Sequence, residues 1–162
     1  MARVYIDKYS GEPLFSPEKT VGIGMSNAPT DVMLVQYLLK VTLHSNKIYL
    51  AGDTRMTPPP GEELVISGNW DETSKRYLKH WEELRYEAKA YWGHGKSDPT
   101  QFPGTVVPYI QGGKKIRAMQ EMCVTIYSRD AYARCQMPNA QLPIIVWREL
   151  FWDPVRGIDG GP

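Results

Sequence analysis

Twice between residues 27 and 88 the apolar positions recur with the period of an α-helix, and the rest of the chain is arranged about these two stretches. In the first, NAPTDVMLVQYLLKVTLHS at 27–45, Val32, Val35, Leu38, Leu39 and Leu43 share one side of a helix, which predicts one buried face. Pro29 or Thr30 suits its start, and Asp31 falls in the first turn, where a carboxylate meets free backbone N–H groups and the positive end of the helix dipole. The second opens at Ile66 with a glycine-containing turn, offers Asp71 and Glu72 to an N-terminal turn, and sets Leu78, Trp81, Leu84 and Ala88 on one stripe. Two such stripes can bury each other. Further on, Ile116, Met119, Cys123 and Ile126 repeat at helical spacing and Tyr127 extends the row, so a third helix is expected over 114–127.

Between these stretches the pattern changes. Residues 2–6 alternate briefly as a strand does, and a turn-rich arm containing Ser10, Gly11, Pro13, Pro17, Gly22 and Gly24 follows. The segments 47–51 (KIYLA) and 63–67 (ELVIS) suit a short β-hairpin about a turn at 57–61. From 91 to 111 the chain is rich in Gly, Pro, His, Ser and aromatics, which is loop chemistry, and a loop of this length is a place to look for function. Beyond Pro138 and Asn139, the residues Ile144, Ile145, Val146, Trp147, Leu150, Phe151 and Trp152 form a dense apolar cluster. Two roles stand for it, a short helix closing the core or an exposed docking segment. The expected organisation is an N-terminal arm at 1–26, a domain at 27–152 and a flexible tail at 153–162.

The two helical stretches together resemble a known family, the small three-helix peptidoglycan-binding domains. One family signature is an Asp-Val-x-x-Val-Gln-x-Leu-Leu helix, and here Asp31, Val32, Val35, Gln36, Leu38 and Leu39 stand in that frame, preceded by Gly22, Gly24, Asn27 and Pro29. The other runs roughly Asp-Gly-aliphatic-Phe-Gly-Pro-x-Thr-x-x-Ala-Val-x-x-Phe-Gln, and Gly68, Trp70, Ser74, Leu78, Trp81 and Glu82 occupy it without a gap. Asp71 and Glu72 replace the family's Gly and Pro, and the connection from 45 to 64, with Pro58, Pro59 and Pro60, is longer than usual. The resemblance covers about half of the chain. It implies a mainly α fold, a three-helix peptidoglycan-binding-like core carrying a short β-hairpin and long loop insertions. It also implies a noncatalytic binding module for a peptidoglycan fragment, of the kind met in phages, contractile injection machines or toxin-delivery loci. The alternative is a cytosolic interaction protein, an adaptor, assembly component or antitoxin, which keeps the fold and binds a protein partner.

Composition narrows the field. A chain of 162 residues is long enough to bury a real core, and 42% hydrophobic with 23% charged residues is ordinary for a globular protein. A formal net charge of +1 argues against nucleic acid, because phosphate binding wants a concentrated excess of Lys and Arg; Lys114, Lys115 and Arg117 are the one tight basic run. No stretch approaches the roughly 20 apolar residues of a membrane span, and the first residues lack the apolar run of an export signal. Cytoplasmic synthesis is therefore expected, with signal-independent delivery to the envelope if the ligand is wall material. In that compartment Cys123 and Cys135 are expected to be free thiols.

For chemistry the sequence offers little. His44, His80 and His94 lack metal-ligand spacing, and no nucleophile elbow, P-loop or dinucleotide fingerprint occurs, so neither metal nor cofactor is expected. The carboxylates Glu62, Glu63, Asp71, Glu72, Glu82 and Glu83 fit strand ends, helix starts and solvated faces, which weighs against an enzyme. Aromatics are the richer signal. Trp70 and Trp81 match core positions of the resembled family, whereas Tyr91, Trp92, Tyr109 and Trp152 lie outside its frame. Flat aromatic faces stack on sugar rings or anchor a protein partner, and equally cover a loop. The expected ligand surface joins Tyr91, Trp92, His94 and Tyr109 of the long loop to Asn69 and Asp71 of the turn before the second helix.

Overall fold

Helix α1 (Pro29–Leu43) forms where the apolar period and Pro29 predict it, and it supplies the largest share of the core cluster among the described residues. The computed structural model describes residues 2–7, 13–45, 55–91, 104–106, 108, 110–111, 114–115 and 155–158. Within α1 the stripe Val32, Val35, Leu38, Leu39 and Leu43 is buried, and so are Leu34, Tyr37 and Thr42 off that stripe. Burial is thus nearly all round rather than on one face, as befits a helix that is apolar on most sides.

Helix α2 (Glu72–Tyr91) buries Tyr77, Leu78 and Trp81 and packs Leu84 partly against the same core. Gln36 meets Ser74, and His44 stacks on Tyr77 with ring centroids 6.2 Å apart. These two contacts lie eight residues apart on the α1 side and three apart on α2. In the connection between the helices Met56 and Leu64 dip into the core, and α2 straps it, Arg76 donating to the Glu62 carbonyl and His80 paired with the Thr57 carbonyl at 2.9 Å. From α1, Lys40 donates to the Leu64 carbonyl at 3.1 Å and pairs with Glu63 at 2.7 Å. That bond holds the exposed Glu63 carboxylate below its usual range.

Strand β1 (Arg3–Asp7) lies between β2 (Pro13–Ser16), antiparallel to it, and β7 (Val155–Ile158), parallel to it. Its alternation is real: Ala2 and Val4 are buried while Arg3 is exposed. A register irregularity separates Ile6 from Asp7, and Gly157 is the extra residue on β7. Two small antiparallel pairs complete the described strands, β3 (Val21–Gly22) with β4 (Thr105–Val106) and β5 (Ile110–Gln111) with β6 (Lys114–Lys115).

These strands overturn the expected mainly α, three-helix core. The described residues hold two helices and several small strand pairs, and Lys114 and Lys115, expected to open the third helix, pair with Ile110 and Gln111 instead. The remainder of that expected helix, Cys123, Cys135 and the 144–152 cluster lie outside the described residues. Residues 63–67, expected in a hairpin, form no strand; side chains of α1 hold them in place of a partner strand, and 47–51 lie outside the described residues. The arm at 1–26 is not peripheral, because Ala2, Val4, Phe15 and Val21 share one core cluster with both helices. Within the expected tail, residues 155–158 pair with β1 as β7.

Candidate functional site

The turn between the connection and α2 is the one part of the expected ligand surface whose side chains the structure describes, and it is built on Gln36. This side chain is fully buried, so each of its polar atoms requires a partner. The amide oxygen accepts the backbone N–H groups of Ser67 and Gly68, both at 3.0 Å. The amide nitrogen donates to the Asn69 carbonyl at 2.8 Å and to Ser74 Oγ at 2.9 Å. One side chain therefore fixes three consecutive residues of the turn and the first turn of α2. Gly68 is required at the closest point: its φ is +80°, and a Cβ there would stand 2.9 Å from Met33 Cε and 3.2 Å from the Pro29 carbonyl.

Asp71 acts as the N-cap of α2. Its Oδ1 accepts the Ser74 N–H at 2.8 Å and the Ser74 hydroxyl at 2.7 Å, while its carbonyl accepts Lys75 N–H at 3.1 Å. Asp71→Ala should lower stability by about 1 kcal/mol in denaturant unfolding, the usual loss of a cap. Asn69 is exposed at the tip, with its main chain committed to Gln36 and Ser67. Trp70 is half-buried against the core, and its shielded indole nitrogen has no hydrogen-bond partner among the described residues.

Of the remaining expected site residues the structure places one. Tyr91 is the last residue of α2 rather than the first of a loop, so α2 puts it about 30 Å from Asp71. Trp92, His94 and Tyr109 lie outside the described residues. The chain returns at Gly104, whose N–H is held by the Glu82 carboxylate at 3.0 and 3.3 Å. That contact is midway along α2.

A second polar framework fixes the entry to α1. Asn27, in a left-handed conformation with φ +50°, accepts Gly22 N–H at 2.8 Å and donates to the Gly22 carbonyl at 3.0 Å, mimicking a paired strand. Gly22 lies so close to the returning chain that a Cβ would fall 2.3 Å from the Gly104 carbonyl oxygen. Asp31 is fully buried, and its two oxygens accept the N–H groups of Glu18 at 3.0 Å and Lys19 at 3.1 Å. It serves the preceding turn rather than its own helix. Burial raises its pKa, opposed by the hydrogen bond from Lys19.

Gln36, Asn27 and Glu82 were absent from the expected site although each positions a loop. A buried amide on an apolar helix was the signal available for Gln36; nothing local marks Glu82, whose partner is far along the chain. No cluster of potential metal ligands occurs among the described residues, and no described helix is long and apolar enough to cross a membrane. Comparison of the chain with protein families, curated proteins and solved structures finds no match.

Proposed function

We propose that the chain is a noncatalytic binding module whose ligand, a peptidoglycan fragment, meets the rigid turn at Asn69. The observation that supports this reading is the use to which the polar motif residues are put. Gln36, Ser74 and Asp71 are spent on backbone groups and on one another, which shapes the turn, and Glu82 is spent on the Gly104 N–H, so the four are used as structural bonds rather than as an acid–base pair. A turn held this way presents Asn69 with little ordering cost on binding.

Sedimentation with purified sacculi tests it. Asn69→Ala should lower the bound fraction severalfold and leave the unfolding midpoint within ordinary surface-mutation scatter, about 0.5 kcal/mol. Trp92→Ala combined with His94→Ala probes the long loop, whose start stands about 30 Å from Asp71 along α2. A loss additive with that of Asn69→Ala would mark an independent contact. Wild-type protein that stays in the supernatant would end the wall reading.

A second reading, an interaction protein with a protein partner, draws on exposed apolar side chains: Ile23 and Met25 in the turn after β3, and Val65 in the connection. Under it, sacculi retain nothing, and capture from lysate by the wild type is lost with Ile23→Ser.

A further inference from the structure

Residues 63–67 run extended between two glycines that turn the chain, Gly61 at φ +105° and Gly68 at φ +80°. Burial alternates along them as along a strand: Leu64 has no exposed surface, Ile66 packs partly against the core, and Val65 between them is 65% exposed. Side chains of α1 hold one edge, where the Leu64 carbonyl accepts Lys40. In an extended chain the next residue sends its N–H and C=O the opposite way, and neither group of Val65 has a partner among the described residues. The Glu63 N–H and the Ser67 carbonyl are likewise without one among those residues. Such an open edge is a template for another strand.

We infer that this edge pairs with the same edge of a second copy of the chain, antiparallel and centred on Val65. A two-fold axis there sets Val65 against Val65, Leu64 against Ile66 and Glu63 against Ser67. Apolar then meets apolar on both faces, and no carboxylate stands opposite another; Glu63 is moreover neutralised by Lys40 at 2.7 Å. The copies exchange two bonds at Val65, and each Glu63 N–H reaches a Ser67 carbonyl. Other registers fail on the same residues. A shift of one sets exposed positions against buried ones. A shift of two sets Val65 against Glu63, or in the other direction against Ser67, whose N–H Gln36 already holds. A parallel pair would stack Glu62 and Glu63 beside their own copies. So short a contact makes a transient dimer. The inference is independent of what the Asn69 turn binds.

Sedimentation velocity of the intact chain across the micromolar to millimolar range tests the pairing. The wild type should pass from monomer to dimer as concentration rises. Val65→Pro takes the central N–H donor from both copies and should weaken association about tenfold or more. Val65→Lys, which sets two cations across the axis, should also weaken it, and added salt should restore part of the loss. Ile23→Ser, at another exposed apolar side chain, should leave association unchanged. A wild type that stays monomeric at the highest concentration overturns the inference. So does a dimer that both Val65 variants leave intact, or one that Ile23→Ser abolishes. If the Val65 variants do not fold, amide exchange of the wild type decides: protection of the Val65 N–H should rise with protein concentration, and protection that stays flat while the dimer forms rules this edge out.

Discussion

Gln36→Leu is expected to destabilise the protein by about 3–5 kcal/mol although it nearly preserves side-chain volume. The leucine leaves the N–H groups of Ser67 and Gly68 without their acceptor and takes one of two donors from the Asn69 carbonyl, which keeps the Asp71 N–H. Ser74 keeps Asp71 but loses its donor. An unsatisfied buried polar group costs about 1–3 kcal/mol, and here at least the Gly68 bond is fully enclosed. Water reaching the exposed side of the turn limits the total, which is why the losses should not sum in full. Denaturant unfolding gives the number directly. A loss below about 1 kcal/mol would show that the network carries little of the stability. The same variant should also disorder the Asn69 turn, so under the proposed wall-binding reading its sedimentation with sacculi should fall further than its remaining folded fraction explains.

Trp81→Ala is expected to cost about 3–5 kcal/mol, the usual range for removing a buried aromatic side chain. Trp81 has no exposed surface and heads the largest side chains of the core, so the alanine leaves a cavity between elements that cannot close freely. Two anchors hold those elements apart. Glu82, the next residue, ties α2 to Gly104, and the Ser74–Gln36 bond fixes α2 to α1 seven residues earlier. For a chain of this size the melting temperature should drop on the order of 10 °C. Leu39→Ala on α1 tests the same core from the other helix and should cost about 2–5 kcal/mol. Near-neutral values for both would remove the helices from the centre of the fold.

Both variants act at positions that the hydrophobic pattern or the family resemblance singles out, but for reasons of different range. Periodicity and end signals are local, and they were sufficient for α1, which begins at Pro29 and ends at Leu43 as the pattern predicts. They were sufficient for α2 as well, with Asp71 capping it and Leu78 and Trp81 buried on its stripe. The strand at the N-terminus was legible for the same reason, since Val4 and Arg3 point to opposite faces within one segment.

By itself, then, the sequence determined two helices, the Asp71 cap of the second, and the buried stripe of the first with Leu78 and Trp81 of the second. Only the tertiary structure decided how many sides of α1 are covered, because Leu34 and Tyr37 look like any apolar residues off a stripe until the strands and the connection enclose them. It alone decided that Asp31 serves Glu18 and Lys19, that Glu82 catches Gly104, and that β7 runs beside β1 from the far end of the chain. It also turned Lys114 and Lys115 into a strand, since a two-residue pairing depends on the partner at Ile110 and Gln111 and leaves no periodicity to read. Polar capture and strand pairing join residues far apart in sequence, where no local preference reports the partner; hydrophobic period and capping are settled within a few residues, and the chain spells them out.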